Sequence, residues 1–272
     1  MRSRLGRNEP PVSDLGVPDE TEYADDVNFL DEDMEKLKAM LPHIKDILGE
    51  WNLFVNDTKT EYTRVHLAGV KEVNTYGKKI RECKLEDWRS TKLLGSLLCS
   101  VQDILRRCQL GNAAFESYNK CWLKGSNIPL QIKIRLYDSL VASVMLYNCN
   151  SWAVPDKDLE KLDTTHRRHL RRILNMYWPR GKIRNVELYK RCDTIKLSER
   201  VKKMRWTMLG HILRSDEQTP AFLSFKFALN NKLKGRRGKH QSNLFKTVLS
   251  DLEARNFHLL DLDDFMYLRD KS

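Results

Sequence analysis

The chain has 272 residues, 41% of them hydrophobic and 31% charged, with a formal net charge of +11. That is enough apolar content for one large folded domain or two small ones. No apolar run reaches the roughly 18 residues of a membrane helix, and no signal-type apolar segment lies in the first 30 residues, so a cytoplasmic or nuclear address with no membrane partner is expected.

The charge is unevenly spread. Residues 1–63 hold 7 Lys+Arg against 15 Asp+Glu, a net of −8, which leaves +19 for residues 64–272. The basic remainder fits either a polyanionic partner or solvated long helices. Six cysteines (Cys83, Cys99, Cys108, Cys121, Cys149, Cys192) are scattered without a Cys-x-x-Cys pair. They suit neither a zinc knuckle nor a disulfide framework, and are expected to be reduced, half-buried thiols.

Residues 1–20 contain Pro10-Pro11, Pro18 and three arginines and read as disordered or linker-like. Tyr23-Ala24-Asp25-Asp26 then reads as a tight turn between two short strands, with the acids at its tip. The approach, Val17-Pro18-Asp19-Glu20-Thr21-Glu22, suits a buried strand badly, so the first side of this hairpin is expected to fray. A helix is expected over 31–49, capped by Asp31 or Asp33, kinked at Pro42 and stopped by Gly49. Leu53-Phe54-Val55 reads as a strand, and residues 63–82 as one or two short strands around Gly69 and Gly77.

From Val101 the pattern turns helical. One amphipathic run extends to Trp122, with Gly111 as a weak point, and breaks at Gly125-Ser126-Asn127-Ile128-Pro129. Further helices are expected over 130–147, 156–177, 186–191 and 198–214, the last capped by Ser198 with Glu199. In the 156–177 helix, Arg167, Arg168, Arg171 and Arg172 crowd the surface. Guanidinium forks match phosphate geometry, which makes this cluster the best nucleic-acid candidate of the helical part. His166-x-x-His169 lacks a third ligand and reads as structural. Leu233-Lys234-Gly235-Arg236-Arg237-Gly238-Lys239-His240 is a basic loop, either phosphate-contacting or a solvated linker, and 252–268 reads as an amphipathic tail.

Five stretches carry a resemblance. They are Tyr23-Ala24-Asp25-Asp26, Asn56-Asp57-Thr58-Lys59-Thr60-Glu61, Lys92-Leu93-Leu94-Gly95-Ser96, Arg135-Leu136-Tyr137 with Leu146-Tyr147-Asn148-Cys149-Asn150-Ser151-Trp152, and Arg205-Trp206-Thr207-Met208-Leu209-Gly210-His211-Ile212-Leu213-Arg214. In this order and spacing the chain, from about residue 23 to 251, resembles the C-terminal half of a LINE-class (non-LTR) retrotransposon reverse transcriptase. The resemblance implies an α+β fold: a disordered start (1–20), the end of a polymerase palm (21–100), a helical thumb-like region (101–220), then a basic linker and amphipathic tail (221–272). It also implies RNA-directed DNA polymerase ancestry and RNA and DNA, as a template–primer duplex, for partners.

By the same resemblance Asp25 and Asp26 are catalytic Mg²⁺ ligands, and Lys59 stands near the leaving pyrophosphate. Leu94 and Gly95 match a hairpin beside the primer terminus, although Leu93 replaces the usual aromatic. A nucleotidyl-transfer centre needs two metals roughly 3.5–4 Å apart, and the family's upstream aspartate and fingers are not encoded here. The expectation is therefore an N-terminally truncated polymerase without activity alone. The alternatives are a non-catalytic nucleic-acid-binding module, contacting phosphate through Arg167, Arg168, Arg171, Arg172, Arg236 and Arg237, or a relic without function.

Overall fold

The computed structural model describes residues 20–31, 33–63, 77–79, 85–86, 91–125, 127–176, 179, 181–230 and 244–254. The chain is mixed α+β and divides into two compact units, the first built on Met1–Leu94, Ile212–Lys239 and Leu260–Ser272, the second on Gly95–His211 and His240–Leu259. Among the described residues no helix is long and apolar enough to cross a membrane.

The first unit opens with strands β1 (Glu20–Tyr23) and β2 (Asp26–Phe29), antiparallel in the register Glu20↔Phe29 to Tyr23↔Asp26. Every position of β1 is paired, so the frayed first side expected from the sequence is not found there. Ala24 carries the turn at φ +53, which costs a non-glycine residue about 1–2 kcal/mol.

Helix α1 (Met34–Gly49) is capped by Asp33, whose side chain accepts from the Glu35 amide. Asp31 accepts in turn from the Asp33 amide at 3.0 Å. The helix runs on through Pro42. Leu53-Phe54-Val55 is not a strand: the helix end turns through Asn52 at φ +56 and takes the Leu53 amide onto the Leu48 carbonyl at 3.0 Å. That bond removes a donor a sheet would need, and it leaves Phe54 86% exposed. Strands β3 (Glu61–Tyr62), β4 (Gly77–Lys79) and β5 (Leu85–Glu86) form a small antiparallel sheet in that order.

Strands β6 (Lys92–Leu93) and β7 (Ser96–Leu97) form a two-stranded hairpin. The second unit then consists of helices around one core. Helix α2 (Ser100–Tyr118) continues into a π-helical turn, Asn119–Leu123, and is not weakened at Gly111. A Cβ there would stand 2.3 Å from Met145 Cγ, so the glycine lets the facing helix pack directly on the backbone. That facing helix is α3 (Leu130–Tyr137), a π turn (Asp138–Ala142) and α4 (Ser143–Met145) in one run.

Helix α5 (Asp156–Ile173) ends before residue 177, because Asn175 adopts φ +56. Tyr177 lies outside the described residues. Helix α6 (Asn185–Cys192) and α7 (Leu197–Arg214) follow. The cap of α7 is not Ser198 but Asp163 of α5, which accepts from the Ser198 amide at 3.0 Å and hydroxyl at 2.6 Å. A carboxylate suits a helix N-terminus better than a hydroxyl does. Helix α8 (Pro220–Asn230), which falls in the first unit, and α9 (Leu244–Glu253) follow, and the expected basic loop, 233–240, lies outside the described residues. Residues 255–272 lie outside the described residues.

The core of the second unit gathers Ile104, Phe115, Tyr137, Met145, Trp152 and Leu170. Cys108, Cys149 and Cys192 are free and buried, and burial pushes the Cys149 thiol up to about 12. Gly111→Ala is expected to destabilise the chain by about 1–3 kcal/mol through overpacking against Met145, read as a lower urea midpoint. Gly111→Ala with Met145→Ala should recover part of that loss.

Candidate nucleic-acid interface

The turn between β6 and β7 places Leu94 at φ +47 and Gly95 at φ +77. Two successive positive φ values are the demand of a two-residue type I′ hairpin. Glycine at 95 is required by conformation rather than space, since a Cβ would meet Tyr147 only at 3.8 Å.

A buried carboxylate fixes the outgoing strand. Asp103, fully buried in the first turn of α2, accepts from the Leu97 amide on one oxygen and from the Trp152 indole on the other, both at 3.0 Å. Arg106 and Arg107 stand 3.7 and 3.6 Å from it and donate to the Gly95 carbonyl at 2.9 and 2.5 Å. Arg107 also donates to the Ser96 hydroxyl at 3.0 Å, and its guanidinium lies 4.4 Å from the Tyr147 ring centroid. Two stretches some fifty residues apart in sequence, the Leu-Gly hairpin and Leu146–Trp152, thus meet on α2. Tyr147 is 49% exposed, so an aromatic ring and two arginines stand beside Gly95.

The four arginines of α5 divide. Arg167 bonds Glu160 at 2.5 Å and Thr164 at 3.0 Å. Arg172 holds Glu116 with both terminal nitrogens and lies 4.8 Å from the Phe115 ring centroid. Arg171 donates to Asn185 at 2.6 Å. Arg168 is exposed and, among the described residues, forms no ion pair. Arg236 and Arg237 lie outside the described residues.

Asp25 and Asp26 sit on the exposed tip of the β1–β2 hairpin. Among the described residues no group of three or more His, Cys, Asp or Glu stands together. Two adjacent carboxylates supply only part of a Mg²⁺ shell, whose other positions are commonly filled by waters and substrate phosphates. Lys59 is exposed, its amide bonded to the Asn56 carbonyl at 3.0 Å in a turn that the Asn56 side chain braces through Thr58.

His166 and His169 are both buried, in an aromatic stack rather than a metal site. His169 lies parallel to Phe115 at 4.1 Å between centroids, and His166 to Tyr137 at 5.5 Å. With Asn112 Oδ1 as acceptor at 2.9 Å, His169 carries its proton on Nε2, and Nδ1 accepts from the Tyr137 hydroxyl at 3.2 Å. Burial, then nearby arginines, lowers His166 to about 3 and His169 to about 4. Sequence reasoning missed Asp103, Arg106 and Arg107. Their only mark was an acid and two bases three and four positions apart on a helix, a spacing usually exposed.

The chain matches no protein-family model, no curated protein and no solved structure.

Asp103→Ala leaves the Trp152 and Leu97 donors and two arginines unpaired and should cost about 3–5 kcal/mol. Asp103→Asn, which keeps one acceptor oxygen, should cost less. Denaturant midpoints with Trp152 fluorescence as reporter test both.

The histidines give a pH dependence of definite sign. Below pH 6.5 the unfolded chain takes up protons that the folded chain refuses down to about 4 and 3. Stability is therefore full above pH 6.5 and falls as pH drops, by about 1.4 kcal/mol per unit per histidine. Between pH 7.5 and 5, wild type should lose more stability than His166→Phe by roughly 2 kcal/mol; equal losses would mean that His166 is protonated in the fold.

Proposed function

We propose that the chain is the end-of-palm and thumb-like segment of a LINE-class reverse transcriptase, and that its own contribution is to hold nucleic acid. The Leu94-Gly95 turn meets the strand, and Arg168 on α5 meets phosphate. The supporting observation is the junction on Asp103, where two stretches that carry the family resemblance meet although nothing in the sequence joins them. A turn whose carbonyl is drawn inward by Arg106 and Arg107 presents a fixed outer surface, flanked by the exposed Tyr147 ring. Aromatic rings and cations so placed suit stacking and phosphate contact without base-specific readout.

Arg171 and Arg172 serve this surface indirectly, by holding α5 to α6 and α2, and Arg167 is taken up within α5 itself. On this reading Asp25 and Asp26 are ancestral metal ligands, and no catalytic step is drawn from them.

Binding of a short RNA–DNA duplex should weaken with salt. Arg168→Gln should flatten the slope of log K against log salt by about 0.9, as for one phosphate on duplex DNA. Arg172→Gln should leave the slope nearly unchanged and lower the melting temperature instead, because Glu116 loses its partner. No binding at low salt, or an Arg168→Gln slope equal to wild type, overturns the assignment.

A further inference from the structure

The ion pair beneath α9 is unusual in composition. Arg205 is completely buried, yet among the described residues only its Nη1 has an acceptor, Asp251 Oδ2 at 3.0 Å. Its Nε and Nη2 have none. Lys202, one turn earlier on α7, stands 3.6 Å from the other Asp251 oxygen and 2.9 Å from Asp156. One α9 carboxylate thus lies across two cations and leaves two guanidinium donors idle. Idle buried donors are costly, and a phosphate has the additional oxygens to use them, taking a guanidinium edge as a fork while another oxygen faces the ammonium.

The element that supplies the carboxylate is itself lightly held. Helix α9 has ten residues and buries three apolar side chains, Val248, Leu249 and Leu252, beside Thr247 and Asp251. Helices this short do not persist in water undocked, so α9 is formed where it is docked and lost where it is not.

We propose that α9 is a strap: Asp251 occupies a phosphate-binding pair, Lys202 and Arg205, and a nucleic-acid phosphate displaces it. The inference rests on the nucleic-acid reading above and adds to it a site closed by the chain's own helix. In the closed state Asp251 mimics the phosphate. In the open state Lys202 and Arg205 both face the strand, and α9 no longer covers them.

The test uses the full chain and a fluorescein-labelled short oligothymidylate at low salt. Asp251→Ala removes the mimic, and Leu252→Asp loosens α9 while leaving Asp251 in place. Each should bind the probe roughly tenfold or more tightly than wild type, since each shifts the strap towards its open state. Adding Arg205→Leu to Asp251→Ala should abolish the gain; this double change removes both partners of the buried pair and so leaves no unpaired charge. Unchanged affinity in both single variants overturns the strap. Hydrogen exchange on wild type keeps the question decidable if either variant unfolds: the probe should speed exchange across 244–253, and exchange that stays constant or slows overturns the proposal. Salt-dependent duplex binding by wild type, with no gain in the variants, removes the strap and leaves the nucleic-acid reading standing.

Discussion

The second unit depends on carboxylates placed where water does not reach. Asp103, Asp163 and Asp251 are each at least 94% buried, on three different helices, and each fastens a piece of chain that apolar packing alone would leave loose. Asp103 joins a strand amide and an indole, Asp163 closes the N-terminus of α7, and Asp251 ties α9 to Arg205. Burying a charge is favourable only when its hydrogen bonds are met. Asp103 and Asp163 meet this condition with two bonds apiece. Asp251 meets its own need but leaves its arginine short, which makes the α9 contact the least complete of the three.

Much of the architecture was legible in the sequence because it rests on local rules. The helical period from Val101 onward, the break at Gly125–Pro129 and the Tyr23–Asp26 hairpin follow from apolar spacing and turn chemistry, whereas the Leu94-Gly95 hairpin was named only by the resemblance. Failures came where a distant partner overrode the local signal. Gly111 reads as a weak point of the helix until Met145 is seen packed upon it. Ser198 reads as a cap until Asp163, thirty-five residues earlier, is seen to supply the acceptor. Leu53-Phe54-Val55 has the composition of a strand, but the α1 end takes its first amide.

The candidate site was legible in a different proportion. Leu94, Gly95 and Tyr147 stand in stretches that the resemblance selects, and a tight turn forms at Leu94-Gly95. What holds the turn was invisible, because Asp103, Arg106 and Arg107 look like ordinary charges on a helix surface. A sequence shows how many charges a helix carries but not which face it buries. For the arginine cluster the partners were what the sequence hid: four adjacent cations read as one phosphate-binding group, and Glu160, Glu116 and Asn185 engage three of them.

This division bears on how the excess positive charge acts. A guanidinium already bonded to a carboxylate offers little to a passing phosphate, since it must give up one charge-assisted bond to make another. On the nucleic-acid reading proposed above, the part of the +19 that acts on a polyanion is the part left over: exposed cations such as Arg168, and cations whose internal partner is removable. In the proposed strap Arg205 belongs to the second kind, being the most deeply buried arginine among the described residues of the unit, with two donors idle. On the proposed reading, net charge therefore sets the long-range attraction, while the few under-satisfied cations decide where a phosphate is finally held.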